Sequence, residues 1–154
     1  FRYSTLKGHV HDMGAAMQGG IGGHAGLFSN SNDVAKIMQM FLQRGYYGGR
    51  RFFNELTFDL FNTCYFCDLG NRRGIGFDKP EMDDSMATCG CVPKSSFGHS
   101  GFTGSYTWAD PLNEIVYVFL SNRTYPTMEN KLLSEYNVRT EIQRIIYESL
   151  NISK

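Results

Sequence analysis

From Ser96 onward the chain takes up a period of two, and that pattern constrains the fold more than any other feature. Ser105-Tyr-Thr-Trp-Ala109 reads as a strand, Asp110-Pro-Leu-Asn-Glu114 as a turn, and Ile115-Val-Tyr-Val-Phe-Leu-Ser121 as a buried strand. The two strands are expected to form an antiparallel hairpin, with Pro126 closing the segment. Apolar residues on the hairpin then require covering elements, and the sequence supplies helices on either side of it.

The firmest helix lies upstream. Ser29 can cap it and Asp33 suits its positive first turn. Val34, Ile37, Met38, Phe41 and Leu42 repeat on one helical face, and Gly45 ends the helix at the left-handed position. Asn54 is expected to cap a shorter helix through Asn62, with Leu56, Leu60 and Phe61 inward. A last helix runs from about Asn137 to Leu150, with Val138, Ile142, Ile145, Ile146 and Leu150 on one face. Helices, a hairpin and a covering helix make an α+β domain, an antiparallel sheet flanked by helices. Residues 1–28 read as a glycine-rich ordered loop with one short helix. Residues 63–95 read as irregular, apart from a short strand at Arg73-Gly-Ile-Gly-Phe77. They carry the acidic run Glu81-Met-Asp-Asp84 and all four cysteines.

With 154 residues the chain has room for one domain and one core. Fifteen basic and fifteen acidic residues cancel, which leaves no electrostatic case for nucleic acid. No apolar run approaches the roughly 18 residues of a membrane span, and no signal peptide is visible. The chain opens on Phe1-Arg2-Tyr3 rather than Met, which reads as an excised piece.

The cysteines form two close pairs, Cys64/Cys67 and Cys89/Cys91. Two such pairs can wrap one tetrahedral zinc, although a single residue between Cys89 and Cys91 is short for a zinc knuckle. Disulfides in an oxidising compartment and free thiols are the other readings. His9, His11 and His24 share the glycine-rich loop without a carboxylate at helical spacing, and histidines hydrogen-bonded within the loop are the expectation.

Gly98-His99-Ser100-Gly101 invites comparison with a nucleophile elbow, Gly-x-Ser-x-Gly. Phe102 stands where the last glycine belongs, a strand follows instead of a helix, and no histidine comes after His99. Another reading is the wall of a site. Serine β-lactamases and penicillin-binding proteins combine Ser-x-x-Lys, Ser-Asp-Asn or Tyr-x-Asn, and Lys-Thr-Gly on a strand beside the site. His99-Ser100-Gly101 suits the third of these positions.

The stretch FGHSGFTGSYTWADPLNEIVYVFLSNRTYP resembles the end of the serine β-lactamase-like family, in its class C and esterase-like branch. There a His-(Ser/Thr)-Gly third motif is common and is followed by two strands and a helix. Upstream, GHVHDMGAAMQGGIGGHAGLFSNSNDVAKIMQMF is similar to the same family's loop and helix, with Met13 where a glutamate usually stands. The chain is also similar to bacterial proteins in which such a domain follows a family 3 β-N-acetylglucosaminidase domain.

The resemblance implies the C-terminal portion of a β-lactamase/transpeptidase-like fold, a single partial domain over residues 1–154 with an irregular insertion at 63–95. It implies that His99 lines the site and that Ser100 hydrogen-bonds substrate. Gly101 would leave room for substrate along the strand, and the Phe102 N–H would serve as an oxyanion donor. The expected activity is hydrolysis of an amide or ester through an acyl-enzyme, without a cofactor. A β-lactam, a peptidoglycan-derived peptide and an ester are the open substrates, in a bacterial periplasmic or secreted setting.

The one Ser-x-x-Lys, Ser4-Thr-Leu-Lys7, has Gly8 directly after it, and it reads as coincidence rather than as the nucleophile pair. The nucleophile is therefore expected in a missing N-terminal part of the domain, and the piece alone is expected to be inactive. Without that part, strand 115–121 would have a bare edge, so a homo-oligomer is expected. The rival is a non-catalytic binding domain, zinc-stapled if the cysteines hold metal.

Overall fold

The computed structural model describes residues 5–80 and 87–152. Ser4 and the acidic run at 81–84 lie outside them. The chain divides into two compact units, Phe1–Asn30 and Ser31–Lys154.

In the first unit a short helix, α1 (Met13–Met17), begins where Asp12 caps it, its Oδ1 accepting from the Ala15 N–H at 2.7 Å. Ala15 is buried, and its carbonyl accepts from the Gly20 N–H at 2.7 Å, which turns the chain back on itself. Met13 is exposed.

The second unit opens with α2 (Ser31–Leu42), followed by a small hairpin, β1 (Tyr46–Tyr47) and β2 (Arg50–Arg51), and then α3 (Glu55–Asn62). The expected Asn54 cap is present, with Oδ1 accepting from the Leu56 N–H at 2.9 Å. The inward face differs from the expectation, however. Leu56, Leu60 and Phe61 are exposed, and Phe58 is the buried residue. The cause is aromatic packing: Phe58 meets Phe97 edge-on at 5.3 Å and Phe41 at 6.4 Å, so α3 turns that side to the core. Ser29 was expected to cap α2, but its hydroxyl instead donates to the Asn30 carbonyl.

The central sheet is antiparallel, in the order β3 (Phe97–Ser100), β4 (Tyr106–Asp110), β5 (Ile115–Phe119). Its two faces follow the period of two. Phe97, Ala109 and Val116 pack with Met38, Phe41 and Phe58 from α2 and α3. Tyr106, Trp108, Tyr117 and Phe119 face the other way, towards Ile142 and Ile146. Those two residues belong to α5 (Val138–Ser149), which follows the short α4 (Leu132–Glu135).

Ile145 on α5 and Leu150 just after it are exposed, whereas the expected face would have them inward. The helix is turned by two polar anchors. Tyr147 reaches Asp110, and Gln143 Oε1 accepts from both the Cys89 N–H and the Tyr106 hydroxyl. The expected strand at 73–77 is a turn closed by a bridge between Arg73 and Asp78, and Asp78 then pairs with Gly98 on the outer edge of β3. No helix among the described residues is long and apolar enough to cross a membrane.

Candidate active-site wall

Strand β3 carries the Gly-His-Ser-Gly stretch, and its hydrogen bonds show which way each residue faces. The Gly98 N–H donates to the Asp78 carbonyl at 3.1 Å, and the Gly98 carbonyl accepts from the Asp78 N–H at 2.8 Å. On the other side, the Gly101 N–H donates to the Ser105 carbonyl at 2.7 Å, continuing the β3–β4 ladder. Alternation along a strand then turns the backbone groups of Gly98 and Ser100 away from β4. Asp78 occupies the outer edge at Gly98, and Ser100, which is exposed, follows it along that edge.

The two glycines that bracket the motif differ in what confines them. A Cβ on Gly98 would collide with the Thr107 carbonyl and the Trp108 ring, so packing alone demands glycine there. A Cβ on Gly101 would meet nothing closer than Ser105 Cβ at 3.6 Å, an ordinary contact. Packing within the chain therefore accounts for Gly98 and leaves Gly101 unexplained.

Half-buried His99 uses both ring nitrogens: Nδ1 lies 2.8 Å from the Ser100 carbonyl and Nε2 lies 3.4 Å from Arg73 Nη1. Arg73 Nε is in turn 3.0 Å from Asp78 Oδ1, and Arg72 Nη1 is 3.2 Å from Asp78 Oδ2. Asp78 is only 2% exposed. The Arg73 Nε–H is close to Oδ1 but not aimed along a hydrogen bond, which leaves that oxygen buried and held by charge alone. Beyond the motif, Arg123 pins the turn. Its Nε donates to the Phe102 carbonyl at 2.8 Å, its guanidinium stacks over the Phe102 ring, and Nη1 donates to the Met128 and Asn130 carbonyls.

Lys79, next to Asp78, is buried with Nζ near Asn62 Oδ1 and the Ser95 carbonyl at 3.2 and 3.3 Å. Burial pulls its ammonium down to about 8.

The structure therefore brings His99 and Ser100 together on β3, with Gly101 directly after the strand and Phe102 in the turn that follows. Sequence reasoning missed Arg73, Asp78 and Arg123. The only signal for the first two was the alternation at 73–77, which marks proximity to an edge but names no partner.

The other candidates fall elsewhere. The cysteines are joined as Cys64–Cys67 and Cys89–Cys91, so of the three readings the disulfides hold and a four-thiolate zinc site is not formed. Lys7 is exposed and outside any helix, whereas a Ser-x-x-Lys nucleophile pair needs an ordered turn there; its partner Ser4 lies outside the described residues. In the first unit His24 Nε2 is 2.8 Å from Asp12 Oδ1. The Ala15 N–H first, and then His24, hold the Asp12 carboxyl below its usual range. Among the described residues no group of three His, Cys, Asp or Glu side chains is placed to hold a metal.

Residues 2–140 match the model of the family described as Beta-lactamase. The chain belongs to the beta-lactamase family. A putative D-alanyl-D-alanine carboxypeptidase of Escherichia coli (strain K12) is 40% identical over 126 residues, covering 80% of this chain and 29% of that protein. The corresponding protein of Escherichia coli O157:H7 is 38% identical over the same length. That of Salmonella gallinarum is 36% identical over 131 residues, 84% of this chain and 30% of its own length. This beta-lactamase-family chain thus spans under a third of the curated relatives it matches. Its antiparallel sheet flanked by helices is the architecture of the β-lactamase/transpeptidase-like fold.

Proposed function

We propose that this chain is one wall of the acyl-transfer site of a serine hydrolase, the C-terminal part of a domain whose nucleophile lies in a preceding part. The observation that carries the reading is the contrast between Gly98 and Gly101: the first is forced by packing, while the second keeps the strand's end open where packing asks for nothing. An extended peptide lying beside Ser100 would use that opening. Ser100 then hydrogen-bonds the substrate, His99 lines the site, and the Phe102 N–H is one of two oxyanion donors.

The names of the relatives favour a peptide ending in D-alanyl-D-alanine, as in peptidoglycan, over a β-lactam or a simple ester. This agrees with a bacterial periplasmic setting, in which the disulfides would persist. We assign residues 1–154 to one partial domain, with 63–95 an insertion in it, and place a β-N-acetylglucosaminidase domain ahead of it in the whole protein. Among the described residues, β5 pairs on one side only, with β4. The preceding part of the domain would cover its other edge in the whole protein, and a second copy would do so in this chain alone. Sedimentation of the chain alone is expected to give a dimer, and a monodisperse monomer would count against that pairing.

Intact mass after incubation with a penicillin, and separately with a fluorophosphonate, tests the reading. This chain should gain no adduct, whereas the full-length protein should. Gly101→Val in the full-length protein should slow acylation by ~100-fold, the scale of a misplaced substrate. An adduct on this chain that vanishes with Ser4→Ala would make the chain self-contained and overturn the wall assignment. An unreactive full-length protein would instead favour a non-catalytic binding domain.

A further inference from the structure

Two contacts on one imidazole select its tautomer. Arginine is always charged and only donates, so at the 3.4 Å contact with Arg73 Nη1 the Nε2 atom of His99 must accept and carries no proton. A carbonyl only accepts, so at the 2.8 Å contact with the Ser100 oxygen the Nδ1 atom must carry the proton and donate. The two partners independently demand the same neutral tautomer. A second proton on Nε2 would break the Arg73 bond and set two cations side by side.

Arg73 is itself held in place. Its Nε sits against Asp78 Oδ1, and Asp78 is fixed to Gly98 of the same strand by two backbone bonds. The residue two places before the motif's serine thus anchors the carboxylate that aims the arginine at the motif's histidine. The Asp78 side chain is 4% exposed and that of Arg73 is 55% exposed, so the arginine's guanidinium faces outward beside His99 while the carboxylate that holds it is buried.

We propose that Arg73 is the positioning residue of His99 and carries the positive charge of the third motif. Where that motif is Lys-Thr-Gly, the lysine supplies a cation from within it. Here the first residue is a histidine whose Nε2 faces Arg73, and the cation comes from the neighbouring turn. The tautomer stands on geometry alone, and only the charge role rests on the hydrolase reading above.

The test is the ring-nitrogen spectrum of the 15N-labelled chain, with His99 assigned by its loss in His99→Gln. Wild type should show Nδ1 protonated and Nε2 bare at neutral pH. Arg73→Met should replace that single tautomer with a mixture, and Arg73→Lys should restore it. The indole N–H of Trp108, the chain's one tryptophan, reports whether each variant is folded, and Arg73→Gln serves if the methionine variant is not. A wild-type His99 protonated on Nε2 overturns the proposal, and so does a folded Arg73→Met protein with an unchanged spectrum. In the full-length protein, Arg73→Met should raise KM for a peptide substrate ~10-fold with kcat less affected, and Arg73→Lys should recover most of it. Unchanged KM in a reactive protein refutes the charge role. Failure of the hydrolase reading would appear separately, as a wild-type protein that does not acylate.

Discussion

The Tyr147 hydroxyl donates to Asp110 Oδ2 at 2.6 Å, joining the last helix to the end of β4 through two side chains that are 2% and 1% exposed. Asp110 also shapes the hairpin turn, with Oδ1 accepting from the Leu112 and Asn113 N–H groups and Oδ2 from Asn113 Nδ2. The carboxylate therefore keeps partners when the phenol is removed, and Tyr147→Phe isolates one hydrogen bond to a charged group. Its expected cost is about 1.5–3 kcal/mol, read by denaturant unfolding. Burial, and then the Asp110 bond, push the Tyr147 hydroxyl above its ordinary range. A raised pKa in the folded state means stability that is intact below the unfolded tyrosine value of about 10 and lost as pH rises beyond it. The wild type should therefore weaken steeply above that pH, and Tyr147→Phe less steeply.

Lys79 should govern the window below that one. Its pKa falls to about 8 in the fold from 10.5, so the folded state binds fewer protons between those values. Stability should then rise as pH goes from about 8 towards 10. Unfolding free energies at intervals across that range test this. Lys79→Met should flatten the rise, and a slope that survives the substitution would assign it to other groups.

Reduction and chelation separate the cysteine readings. Each disulfide closes a very short loop, with sequence separations of 3 and 2, so the chain-entropy contribution is small, about 2 kcal/mol apiece at most. A reductant should lower the thermal midpoint modestly, and a chelator should leave it unmoved. A midpoint that falls with chelator alone would restore the zinc site.

The strands were legible because alternation and turn chemistry are local. The hairpin of β4 and β5 is found where Tyr106, Trp108 and Tyr117 alternate with residues of the opposite face. Helix existence was legible for the same reason, but helix rotation was not. On α3 the leucines and Phe61 satisfy a helical period, yet the long-range fit of Phe58 against Phe97 decides the inward side. On α5 the buried contacts of Gln143 and Tyr147 are polar, and hydrophobic periodicity does not register them. The candidate site divides in the same way. His99, Ser100 and Gly101 are contiguous and so were visible, whereas Arg73 and Asp78 come to β3 from a short alternating segment whose partner strand the sequence does not name.

Gly98 and Gly101 offer the sharpest comparison, since they flank the same two residues and differ only in surroundings. Gly98→Ala forces a methyl group into the Thr107 carbonyl and the Trp108 ring, where neither backbone nor indole has room to retreat. It should cost about 3 kcal/mol or more and perturb the Trp108 environment, because overpacking against backbone is relieved only by moving the strand. Gly101→Ala meets only an ordinary contact with Ser105, so its stability should stay within about 1 kcal/mol of wild type. Thermal melts followed by tryptophan fluorescence separate the two. If both variants are equally unstable, Gly101 is a folding residue like its neighbour and the open strand end loses its meaning. If only Gly98→Ala is unstable, Gly101 is free to vary as far as this fold is concerned, and the open strand end keeps the meaning proposed for it.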